Sequence, residues 1–238
     1  MKYLKVKCIN IFKLWTFLLL LPLPIMAQEE ENQRIVLETD SGDVTIMLYN
    51  ETPLHRDNIV KLVKEGFYDG VLFHRVIEDF MIQTGDSISR HAPAGKLLGV
   101  GSYETYKIPA EIRFPQIFHK RGSVAAAREG DAENPQRESS MCQFYIVWGK
   151  RYSGNMMDDV EERIARNTGN LISFPQEVRD AYFQYGGTPH LDGQYTVFGE
   201  VVEGLDVVER IMAAQTDENN RPLTDIRIKK AYIDEKKP

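Results

Sequence analysis

The side chains most often used for covalent or metal chemistry are present, but without the spacing such chemistry needs. His55, His74, His91, His119 and His190 show no paired metal-ligand spacing with cysteine or with one another, so neither a zinc site nor another cofactor is expected. The chain has no G-x-S-x-G elbow and no Gly-rich phosphate loop. Cys142 adjoins Gln143 in an apolar stretch and reads as a small buried residue rather than a nucleophile. Hydrogen-bonding chemistry remains. Arg75 lies in the run VLFHRVIEDFMIQTGD, residues 71–86, and the amides of Gln83 and Gln143 fall inside strand-like segments, where a buried polar group needs a partner. Taken singly, Arg75 reads as a surface arginine paired with Glu78 or Asp79, the two glutamines as caps of neighbouring loops, and Phe80, Met81 and Tyr145 as plain core residues.

The elements that must position these groups are mostly strands. Arg34 to Thr39 and Val44 to Tyr49 alternate apolar and polar residues around Asp40-Ser41-Gly42-Asp43, which predicts a β-hairpin. Thr52 caps and Pro53 starts a helix with Ile59, Leu62 and Val63 on one face and Gly66 at its end. Residues 71–86 alternate on both sides of Glu78-Asp79 and predict a second β pair. Further strands are expected at Ser123 to Ala127, Gln143 to Trp148, Tyr195 to Val202 and Ile226 to Ile233, with a short helix at Leu205 to Met212. Between Lys150 and Pro189 the pattern turns helical. Met157, Val160 and Ile164 share one face, as do Val178, Tyr182 and Tyr185 before Gly186-Gly187, so two inserted helices are expected there. Many strands and few helices point to a closed barrel or a sandwich.

Residues 1–27 differ from the rest. Lys2, Lys5, Lys7 and Lys13 precede an apolar run from Leu14 to Ile25, and Ala27 offers a small residue for cleavage, the pattern of a signal peptide. The run is about a dozen residues, short of the roughly 20 needed to span a bilayer, and Pro22 and Pro24 interrupt it. Export of residues 28–238 as one domain, without stable membrane insertion, is the expectation, with the periplasm as destination. Losing four lysines and no acids takes the formal charge from −6 to −10, and the remaining cations form no stripe, so nucleic acid is not an expected partner. Cys142 then stands alone, and no internal disulfide is expected.

Three strings in register, FHRVIEDFMIQTGD at 73–86, RGSVAAAREGD followed by SSMCQFYIV at 121–147, and LDGQYTVFGEVVEGLDVVERI from Leu191, resemble the cyclophilins. The resemblance covers about Ile35 to Ile233, except for a helical insertion at about 150–189 where small cyclophilins have a short connection. It implies a mainly β fold: an eight-stranded antiparallel β-barrel capped by two helices, with its active groove on the outside. It implies peptidyl-prolyl cis/trans isomerase activity on proline-containing polypeptides, carried by a monomer. Arg75 is then the catalytic donor. Phe80, Met81 and Tyr145 form the proline pocket, and Leu191 closes its wall. Gln83 and Gln143, with the backbone at Ala127 and Arg128, hold the substrate chain. Two positions depart from the common pattern: His190 stands where many cyclophilins carry a tryptophan that contacts cyclosporin, and Tyr195 where they carry a pocket histidine. Cyclosporin affinity is therefore in question, while Tyr195 keeps an aromatic face and a hydroxyl for the pocket. The competing reading is a cyclophilin-fold binding module or chaperone of slight activity that recruits a partner through the inserted helices.

Overall fold

In a computed structural model, residues 31–100, 104–169 and 172–235 are described; the expected signal peptide at 1–27 lies outside them. The first hairpin pairs β1 (Arg34–Thr39) with β2 (Gly42–Leu48) across a tight turn in which Gly42 takes φ 123°, a value open to glycine. Its alternation turns Ile35, Leu37, Val44, Ile46 and Leu48 inward, each at most 1% exposed. The helix α1 (Pro53–Lys64) starts at the expected proline, but the Thr52 side chain caps nothing. The carboxylate of Glu111 does so from far along the chain, accepting the N–H groups of Leu54 at 3.2 Å and His55 at 3.0 Å. An acid at a helix N-terminus satisfies orphan donors and meets the positive end of the dipole, so it displaces the weaker threonine cap.

The remaining strands are β3 (Arg75–Ile77), β4 (Met81–Thr84), β6 (Ser123–Ala126), β8 (Phe144–Val147), β9 (Val197–Glu203) and β10 (Ile228–Ile233), with a two-residue pair between β5 (Lys107–Ile108) and β7 (Ser139–Ser140). Eight strands form one antiparallel sheet in the order β10-β1-β2-β9-β6-β8-β4-β3. Its two ends meet through the segment before β3. Leu72 bridges Arg227, the Gly70 N–H donates to the Ile228 carbonyl at 2.7 Å, and the Phe73 N–H donates to that of Ile226 at 2.9 Å. The helices α1 and α4 (Leu205–Met212) lie against this sheet and send Ile59, Leu62, Val63, Val207, Val208, Ile211 and Met212 into the same core as the strand interiors.

The insertion holds α2 (Gly154–Thr168) and α3 (Gln176–Gln184). Met157, Val160, Ile164, Phe174, Val178 and Tyr182 make a separate small core against Phe114 and Phe118. Tyr185, expected on that apolar face, is instead 51% exposed. The helix stops at Gln184, and Gly186 and Gly187 turn the chain with φ of 82° and 146°, so position 185 falls off the buried stripe. That turn is where the insertion meets the barrel. Gly187 bridges both Lys120 and Lys150, and a Cβ on Gly149 would lie 2.0 Å from the Gly187 carbonyl oxygen, so the crossing tolerates no side chain.

Candidate active site

Strand register builds the site. Arg75 pairs with Gln83, Gln83 with Tyr145, and Tyr145 with Ala125; one step along, Ile77 pairs with Met81, and Met81 with Val147. Side chains alternate between faces with a period of two. Val76, Ile82, Ile146 and Val124 therefore enter the barrel core, while Ile77, Met81, Val147, Tyr145 and Ala125 form a second apolar cluster on the other face. This explains why Val124–Ala126 of β6 and all of β8 are apolar, both strands being buried on both sides. Phe80, Leu191 and Tyr195, each partly exposed, stand around this cluster as walls.

Arg75 is at the edge of that floor. Its Nη1 donates to Gln83 Oε1 at 3.1 Å and lies 4.0 Å from Met81 Sδ. A guanidinium can only donate, which fixes the amide chain beyond it. Gln83 must present its oxygen to Arg75, so Nε2 donates to Gln143 Oε1 at 3.0 Å, and Gln143 Nε2 in turn reaches the Gly99 carbonyl at 3.4 Å. Among the described residues Arg75 has no ion pair, so the surface pairing with Glu78 or Asp79 does not form. Half-burial draws its pKa down from the ordinary value, yet an arginine stays charged.

Tyr195 meets Tyr145 edge-to-face at 6.2 Å and carries the Arg128 guanidinium on its ring at 4.3 Å. The resemblance implies a role only for the backbone of Arg128. Its side chain also braces Tyr195, donating to the Gln194 carbonyl at 2.9 Å and pairing with Asp131 at 2.7 Å. Gln83, Gln143, Ala127 and Arg128 line one cleft, of about 610 Å³. Phe80 lines another, of about 510 Å³, which it shares with His190 and α2. The floor residues Met81 and Tyr145 belong to the same apolar cluster as Phe80, so the expected site residues form one line of neighbours.

A buried polar chain below the floor escaped the sequence reading. Tyr145 Oη lies 3.1 Å from His119 Nε2, His119 Nδ1 lies 2.7 Å from Asp192 Oδ1, and Tyr182 donates to Asp192 Oδ2 at 2.6 Å. The carboxylate can only accept, so His119 Nδ1 carries a proton. The chain ties the pocket floor to α3 in the insertion. Cys142 is buried, and burial pushes its thiol up to about 12, which leaves it inert. Among the described residues, no three His, Cys, Asp or Glu side chains group as metal ligands.

The family description "Cyclophilin type peptidyl-prolyl cis-trans isomerase/CLD" matches residues 34–233. A Staphylococcus aureus protein named as a peptidyl-prolyl cis-trans isomerase is 33% identical over 204 residues, covering 85% of this chain and 92% of its own. One of the same name from Staphylococcus epidermidis is 31% identical over 209 residues, covering 87% and 94%. A cyclophilin type isomerase of Cryptosporidium parvum shares the fold, with a TM-score of 0.59 at 21% identity over 87% of this chain and 99% of that one. That protein has also been crystallised in the presence of the dipeptide Ala-Pro, in a form that superposes with a TM-score of 0.58. With a strand-built groove of this kind and matches across nearly the whole described chain, the protein belongs to the cyclophilin-type peptidyl-prolyl cis-trans isomerases.

Proposed function

We propose that the groove accelerates rotation about X-Pro bonds of polypeptides through a hydrogen bond that exists only in the twisted state. Rotation must break amide resonance, a barrier of about 18–20 kcal/mol, and needs no covalent step. At the halfway point the proline nitrogen turns pyramidal and regains its lone pair, so a donor placed there binds the transition state and not the planar ground state. Arg75 is that donor. The single observation that carries the reading is its guanidinium at the rim of an apolar floor, aimed by Gln83 at 3.1 Å and touching Met81. A charge-assisted bond of this type contributes about 1.5–3 kcal/mol, roughly ten- to a hundredfold in rate. The apolar enclosure by Phe80, Met81, Tyr145, Leu191 and Tyr195 supplies the remainder by holding the twisted ring away from water. Gln83 spends one lone pair on Arg75 and one N–H on Gln143; the second of each, with Gln143 and the backbone at Ala127 and Arg128, holds the peptide chain.

The test is an isomerisation assay on a short X-Pro peptide with wild type and Arg75→Ala. A ten- to hundredfold loss is expected, and equal rates reject the assignment. The chain acts as a monomer on exported polypeptides in this reading, after cleavage behind Ala27, which N-terminal sequencing of the secreted product checks. No helix among the described residues is long and apolar enough to cross a membrane.

A further inference from the structure

The helix α2 does not close onto the barrel. Between it and the β3–β4 turn lies the open cleft of about 510 Å³, whose inner wall is Phe80, Thr188 and His190 and whose outer wall carries Arg163, with Lys150 at one side. Phe80 belongs equally to the apolar pocket, so the cleft continues the groove. Thr188 is 2% exposed, and neither its Oγ1 nor His190 Nδ1 has a hydrogen-bond partner, although both atoms are buried. Leaving such groups unpaired costs about 1–3 kcal/mol each, so two of them lining one cleft mark a place where polar atoms of another molecule fit.

Charge narrows the chemistry. Lys150 and Arg163 are exposed and make no ion pair among the described residues, whereas Arg166, on the same cleft, is engaged by Glu162 at 3.1 Å. Asp79 and Asp159 also line the cleft, and both are exposed at its rim. Lys150 and Arg163 both act on His190 at the inner wall. Burial first, and then the charges of Arg163, His119 and Lys150, push the His190 imidazole down to about 4. The ring therefore stays neutral near pH 7.

We propose that this cleft is an additional subsite that receives the carboxylate of an Asp or Glu in the same polypeptide, near the proline, with Lys150 and Arg163 supplying the charge and Thr188 the hydroxyl donor. The proposal rests on the isomerase reading above and extends it to substrate choice. The Phe80 ring, 5.5 Å from that of His190, belongs to both the apolar cluster and the cleft, so the acid is sought close to the proline in sequence.

The experiment uses X-Pro peptides with Glu, Gln or Lys scanned through the three positions on either side of the proline. Turnover and, by fluorescence anisotropy, binding are measured for wild type, Thr188→Val and the double variant Lys150→Glu/Arg163→Glu. Two partly exposed charge contacts predict a Glu over Gln preference of roughly five- to tenfold at one position, falling at high salt. The double variant should prefer Lys at that position, with the preference again falling at high salt. Thr188→Val should keep the direction of the preference and halve its size. The proposal is overturned if no position separates Glu from Gln by more than twofold, or if the double variant keeps the wild-type preference. Should no peptide be isomerised by wild type while the reversible charge preference persists in binding, the isomerase reading fails and the subsite stands.

Discussion

The two walls of the groove are held in place differently. On the barrel side, Arg75, Gln83 and Tyr145 stand on three adjacent strands, where the ladder sets each side chain opposite its neighbour. On the insertion side, His190 follows a short turn and Arg163 rides on a helix with its own small core, joined to the barrel at the Gly149–Gly187 crossing and through Asp192. A ladder fixes position to a fraction of a residue and cannot slip without turning its core face outward. A helix pair packed on Phe114 and Phe118 and joined at one glycine crossing and one buried carboxylate has no such register to keep. The two proposals above follow this difference, with chemistry on the strand wall and selection on the helical one.

The largest expected effect breaks the joint between them. Asp192 accepts from the His119 backbone N–H at 2.9 Å, from the His119 ring and from Tyr182, all in a buried setting. Asp192→Ala should cost about 3–5 kcal/mol in a denaturant melt, because it orphans three buried donors. A loss below about 1 kcal/mol would show the walls to be independent. Next comes pH. Burial lowers the His74 ring to about 4, and both ring nitrogens lack partners. The unfolded chain, with its histidine near 6.5, binds more protons than the folded one between pH 6.5 and 4, so stability falls as pH drops through that window. His74→Phe should flatten this loss by on the order of 3 kcal/mol, while His190→Phe, in the more open wall, should flatten it by less. Smaller still, Gln83→Leu should lower kcat/KM roughly tenfold with the melting temperature little changed, since it releases the guanidinium rather than the core. Smallest, Tyr182→Phe should cost about 1 kcal/mol and raise KM through Tyr145, with kcat held.

The strand wall was legible from sequence because alternation is a local signal. The hairpin at 34–48, both caps of the barrel core and the turn at Glu78-Asp79, where Asp79 takes φ 55°, all follow from patterns within a few residues. Which face of β8 serves the site was not local, since FYIV is apolar throughout, and the choice came from the resemblance. Long-range polar pairs were invisible. His119 finds Asp192 across 73 residues, and Glu111 caps a helix 56 residues away, with no periodicity to announce either. Tyr185 fits the helical spacing but lies beyond the last turn, because two glycines end α3 first.

Arg75 is proposed to recognise a half-turned bond and to ignore a planar one. This is tested most directly by measuring kcat/KM and ground-state affinity for the same X-Pro peptide on wild type and Arg75→Ala. kcat/KM should fall roughly ten- to a hundredfold while peptide affinity changes less than about threefold. A parallel loss of affinity and turnover, or no loss of turnover, would contradict it.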